Sequence, residues 1–333
     1  MRGLPVVLSV VSLLNAPFMS AYAMPSTQNK GTLAASNSVD KPSGMFNKLS
    51  LAFLYSYTDF KFHSTKGENF NNFTGHSNLY SIAAGNVQLA KDFSAGLALF
   101  KVDTNVLSNV FISPGSPANS KQTVHNNTLF GHVLKRFKEY YYLDLAGAYG
   151  QNKIASQSWI LPNTPISQYG FANSRSNNWF TSLTGLYSRP WKNFLINANA
   201  RLLYSQTDAG NYFFNYQSSP LPQPVQALTN KVWFAMENIE LGYKFKPTVP
   251  LVPFVNAGLI QVLSYTNSRT LIDSTLINGT LPQLSMNKNG YRLGGGFSYS
   301  YKRLTLRIEE QFYNASGTFK SYQTVAGIRY LIS

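Results

Sequence analysis

The residues best placed to do chemistry in this 333-residue chain are charged side chains set in alternating sequence. Asp144, Arg201, Glu240, Lys244, Arg292, Arg307, Glu309 and Arg329 fall on the polar parity of runs in which every second residue tends to be apolar. Successive side chains of a β-strand point to opposite faces. If the apolar parity is buried, these charges converge on the other face of a sheet. A confined, mainly basic interior favours anions, whereas acid–base pairing fills the same space with ion pairs. The sequence alone leaves both arrangements open.

Catalytic and metal-binding patterns are missing. There is no H-E-x-x-H and no G-x-S-x-G, and no Asp has another Asp or a His two residues on. The four histidines are His63, His76 and His125, near polar stretches, and His132, on an inward parity. With no cysteine, neither a disulfide framework nor a thiolate metal site can form. Gly294-Gly295-Gly296 lies within a strand pattern and opens no helix, so it is no phosphate cradle. We therefore expect no catalytic residue, no metal and no cofactor. A Ser/His pair assembled across strands, as in barrel lipid hydrolases, is the remaining enzymatic alternative.

These charges need strands to position them, and period-two alternation supplies about twelve. Near the end, Tyr322, Thr324, Ala326, Ile328, Tyr330 and Ile332 share one parity, with Ser321, Gln323, Gly327 and Arg329 on the other. Leu49, Leu51, Phe53, Tyr55 and Tyr57 alternate in the same way near residue 50. So do residues 141–150, 194–205, 291–301 and 304–312, with less regular stretches near 77–90, 93–104, 124–135, 177–187, 231–245 and 252–264. In 231–245 the apolar parity changes between Met236 and Ile239, which predicts a bulge near Glu237-Asn238 that keeps Glu237 away from the apolar face.

Composition sets the medium. Charged residues are only 12% of the chain, against about 25% in a typical soluble protein, while aromatics reach 14%. Mean hydropathy is −0.15, and after the first residues no apolar run is long enough for a membrane helix. Residues 1–23 read as a secretory signal: Arg2, a mostly apolar stretch, then Ala21-Tyr22-Ala23. Residues 24–46 read as a flexible linker, and 47–333 as one domain. Export makes nucleic acid a poor partner for the net charge of +15; anionic lipid and lipopolysaccharide suit it better.

Connections alternate between long and short. Long polar ones are expected near 63–76, 105–123, 153–176, 206–230, 265–288 and 314–320, and short ones near 91–92, 136–138, 188–193, 246–250 and 302–303. The short turns carry Lys91, Lys135, Arg136, Lys138, Arg189, Lys192, Lys246, Lys302 and Arg303 beside Phe93, Phe137, Tyr140, Trp191 and Phe194. That asymmetry, with aromatic and cationic anchors at one rim, belongs to outer-membrane barrels. The expected fold is all-β: a transmembrane antiparallel β-barrel of about twelve strands, between ten and fourteen, with both termini at the short-turn rim.

The motifs Pro253-Phe254-Val255-Asn256-Ala257-Gly258-Leu259, Gly290-Tyr291-Arg292-Leu293-Gly294-Gly295-Gly296-Phe297-Ser298-Tyr299 and Ala326-Gly327-Ile328-Arg329-Tyr330 resemble the last strands of autotransporter β-domains. The resemblance implies a twelve-stranded outer-membrane barrel through which a linker passes during export of a passenger. It also implies an assembly signal at Gly327, Tyr330 and Ile332, read by the barrel-assembly machinery, although the usual final aromatic is absent. Only residues 24–46 separate the signal from the first strand, so the expectation is a barrel without a passenger. The leading functional expectation is a narrow pore or translocator-like shell, with small anionic solutes as candidate cargo. The competing expectation is a surface interaction barrel acting through its long loops.

Overall fold

The structure is a computed structural model, and it describes residues 49–66, 69–111, 118–160, 165, 168–217, 221–225, 227–245, 250–267, 289–315 and 319–332. The signal peptide and linker expected over residues 1–46 lie outside them. In chain order the strands are β1 (Ser50–Lys66), β2 (Asn69–Ala90), β3 (Phe93–Phe111), β4 (Ala118–Arg136), β5 (Tyr141–Ile160), β6 (Gln168–Trp191), β7 (Phe194–Ala209), β8 (Tyr212–Tyr216), β9 (Gln223–Val225), β10 (Leu228–Tyr243), β11 (Leu251–Asn267), β12 (Gly290–Tyr301), β13 (Leu304–Ala315) and β14 (Phe319–Leu331).

Among the described residues, twelve of these strands pair with both neighbours in sequence around a closed antiparallel barrel. Closure is made by β1 against β14, from Ser50 opposite Leu331 to Phe62 opposite Phe319. The first and last strands therefore begin and end together at the rim of short turns. The remaining two, β8 and β9, form a small hairpin that leans on the start of β6 through Gly170 and Phe171.

The two faces of the wall differ as the medium demands. Ile82 is 66% exposed and Leu97 and Leu99 64%, a degree of apolar exposure that hydrocarbon tolerates and water does not. Aromatic pairs mark both edges of this outer band. Towards the long-loop side lie Tyr55 with Tyr80, Trp179 with Tyr204, Tyr204 with Trp233, and Phe312 with Tyr322, at centroid distances of 4.9–5.3 Å. Towards the short-turn rim, Lys135 lies over Phe93 and Phe137, Arg189 over Tyr140, and Lys302 over Tyr301. An amphipathic cation on an aromatic ring suits the depth at which head groups meet hydrocarbon. Asp92, Lys192 and Lys302 take positive φ in the tight turns of this rim.

Several stretches expected as loops are strand. β2 and β6 run for 22 and 24 residues, whereas β12 and β13 have 12 each. Most of 105–123 and 153–176 is thus wall, as is 69–76. Above the aromatic edge most outward residues turn polar, with Leu107 and Phe171 among the exceptions, so the apolar alternation that signals a strand fades while the hydrogen-bond ladder continues.

The bulge expected at Glu237-Asn238 is also elsewhere. In β10 the parity never changes: Val232, Phe234 and Met236 are buried inward, Asn238 and Glu240 follow on the same face, and Glu237 stands exposed outward with Ile239 and Leu241. The register shift lies between Trp233 and Phe234, where β11 carries the extra residue, Leu263. The expectation failed because it assumed that inward positions are polar.

Candidate lumenal site

The inward residues form layers. Nearest the short-turn rim is a charged network drawn from four strands. Arg307 on β13 donates from Nη2 to Glu240 Oε2 on β10 at 2.6 Å and to Glu309 Oε2 at 2.8 Å. Glu240 Oε1 also accepts from Asn197 Nδ2 on β7 at 3.1 Å. Glu309 Oε1 accepts from Asn256 Nδ2 on β11 at 2.6 Å, and from Gln311.

Local sequence explains how side chains three strands apart can meet. Between β10 and β13 the inner wall is cut low by glycine: Asn256 faces Gly294, and Gly296 faces Glu309 across the ladder. Arg307 crosses this depression with its guanidinium carbon 3.8 Å from the centre of the Phe254 ring. The glycine run is needed for close approach, since a Cβ on Gly296 would lie 2.0 Å from the Ile308 carbonyl oxygen. Arg292, on the inner parity of β12, stands beside this network.

Across the lumen a second group is organised by register. Asp144, Thr184 and Arg201 occupy one cross-strand row on β5, β6 and β7. Arg201 Nε donates to Thr184 Oγ1 at 3.0 Å. Asp144 Oδ1 lies 2.7 Å from His132 Nδ1, both side chains are buried, and the imidazole stacks on Phe130. Gly96 gives the imidazole its room, because a Cβ there would be 2.4 Å from Nε2.

Arg329 is buried on the inner face of β14. Lys244 follows the end of β10, where burial pulls its ammonium below the ordinary lysine value. Gly327 is opposite both Leu54 and Arg307 at the seam, Tyr330 is exposed on the outer face, and the Ile332 amide donates to the Leu49 carbonyl.

The middle of the lumen is apolar, which parity reasoning missed. Phe60, Phe62, Phe73, Phe100, Phe130 and Phe180, with Leu203, Phe234, Ile260, Tyr313 and Phe319, belong to one buried cluster to which every barrel strand except β12 contributes. The sequence signal was present: these phenylalanines lie on the polar parity of their strands. Farther from the short turns, Asn126, Asn152 and Ser176 continue the inner wall as an amide–hydroxyl ladder, with bonds of 2.8 and 2.9 Å. No group of three His, Asp or Glu suited to a metal occurs among the described residues.

Such a layered lumen can hold buried charge only by pairing it, because an isolated ion costs several kcal/mol to desolvate. Chemically it can resist ion flow at the apolar belt, which favours dewetting, and offer paired charges beneath it.

The sequence matches the family model described as autotransporter beta-domain over residues 63–309. Solved structures share the fold. The translocator domain of autotransporter NalP from Neisseria meningitidis aligns with a TM-score of 0.66 at 12% identity, covering 98% of this chain and 97% of its own. The beta domain of the Bordetella autotransporter Brka aligns with a TM-score of 0.55 at 15% identity over 84% and 98%. The transport unit of autotransporter AIDA-I from Escherichia coli gives 0.51 at 9% identity over 95% and 98%. No curated protein sequence matches the chain.

Proposed function

The chain belongs to the autotransporter beta-domain family, and we propose that this outer-membrane translocator barrel passes cargo only when its lumenal layers rearrange. The observation that supports this reading is the pairing of Arg307 with Glu240 and Glu309 beneath a belt of inward phenylalanines. A steady open pore would leave these groups in water. In the resting barrel the charges therefore act as a filler that must be displaced, and the belt sets the barrier to ions.

On this reading the chain is exported by the signal at residues 1–23. It is then folded by the barrel-assembly machinery, which reads Gly327, Tyr330 and Ile332. Small anionic solutes are secondary cargo at most. The reading assigns no catalytic step; the inward His132 pairs through Nδ1 with Asp144 Oδ1 and stacks on Phe130 as part of the lumenal filling.

A reporter inserted into residues 24–46 tests the proposal. Protease-sensitive reporter on the surface of intact cells is the expected outcome. A folded, heat-modifiable barrel whose reporter stays shielded would overturn it.

A second reading has one observation in its favour. β2 to β6 continue as a tall wall beyond the aromatic edge, beside the β8–β9 hairpin. Such a rim suits a surface interaction barrel. Trimming β5 and β6 above Tyr149 and Trp179 should abolish adhesion of cells to host or matrix surfaces under that reading, and leave reporter export intact.

A further inference from the structure

On the outer face of β5 and β6 the residues change character in register with height. Leu145 faces Leu183, Gly147 faces Thr181, Tyr149 faces Trp179, Gln151 faces Asn177 and Lys153 faces Arg175. The ladder passes from aliphatic through aromatic and amide to cationic. Lys153 and Arg175 lie four residues beyond the aromatic pair, which at about 3.4 Å per residue and a tilt near 40° puts them about 10 Å above it. That is the depth of head groups, on the side of the barrel away from the short turns.

Two like charges directly opposite on adjacent strands repel. Both side chains are exposed, and no ion pair joins either of them to an acid among the described residues. Two described carboxylates close in register have other partners. Asp103 is 3.2 Å from Lys101 and 2.6 Å from His125. Asp208, diagonal to Arg175 across β6 and β7, accepts from Gln206 and Thr229. His125 faces Lys153 from β4 and extends the row. A conformation that sets a lysine against an arginine at phosphate depth, with no ion pair to an acid among the described residues, has room for an external anion.

We propose that Lys153 and Arg175 form a binding site for a phosphate group of a phosphorylated glycolipid in the outer leaflet. The guanidinium fork takes two phosphate oxygens and the ammonium a third, while Tyr149 and Trp179 lie against the acyl region below. The site is separate from the lumen and does not depend on what the barrel transports.

Full-length protein refolded in detergent can be titrated with bisphosphorylated lipid A, with lipid A stripped of its phosphates, and with inorganic phosphate. Two charge-assisted contacts predict that K153Q/R175Q weakens binding of intact lipid A by about tenfold or more. Binding of the stripped lipid should be unchanged, and inorganic phosphate should not compete at equal concentration. K153E is the folding control: it creates an opposite-charge pair, so the barrel should resist heat at least as well as the native one while losing lipid A. Equal binding by native and doubly substituted protein would overturn the proposal. So would equal affinity for stripped lipid, or effective competition by inorganic phosphate.

Discussion

Arg307 holds two acids apart, and its removal has a definite sign. Replacing one partner of a buried pair costs about 3–5 kcal/mol because the other charge is left uncompensated. Arg307→Gln should therefore lower the temperature at which the folded barrel converts to its slower-migrating form. Adding Glu240→Gln should recover part of the loss, since the second change removes one of the stranded carboxylates. Glu237 predicts the opposite sign. It faces hydrocarbon between Trp233 and Tyr243, opposite Leu259 on β11 and Ala200 on β7. Glu237→Leu should stabilise the barrel by about 1–2 kcal/mol, read as higher resistance to denaturant in detergent. Parity was enough to put Arg201, Arg307 and Glu309 on one face of their strands. It could not say that His132 would meet Asp144, because that contact depends on a register set by the turn between β4 and β5.

At the scale of elements, β12 is the thinnest part of the wall. Gly294 and Gly296 leave a depression that lets Arg307 reach β10, and the same approach leaves no room for a Cβ on Gly296. Gly296→Ala should cost about 1–3 kcal/mol and lower the yield of folded barrel. Gly295→Ala should be milder, since its nearest contact is 3.1 Å from the added carbon. The existence and faces of β1, β5, β7, β12, β13 and β14 were legible because hydrocarbon demands apolar residues at every second position. The upper parts of β2 to β6 were not, because both faces there meet polar surroundings. The phase of β10 was misread for a related reason: an inward Phe234 beside Met236 looks like a lipid-facing strand until the apolar belt is known.

For the whole molecule, closure of β1 on β14 and the layered lumen make a joint prediction. In planar bilayers the native barrel should stay largely closed, and Phe100→Ser with Phe130→Ser should raise its conductance by wetting the belt. High steady conductance from the native barrel would favour an open pore instead. Beneath this lies the claim that one face of each of the twelve barrel strands touches hydrocarbon, which β14 tests most directly. The chain has no cysteine, so single cysteines can be placed from Lys320 to Leu331 and spin-labelled in lipid vesicles. Collisions with lipid-soluble oxygen should rise and fall with a period of two, high at Tyr322, Ile328 and Tyr330 and low at Gln323, Val325 and Arg329. A uniform oxygen response along β14, or one with a helical period, would contradict the barrel.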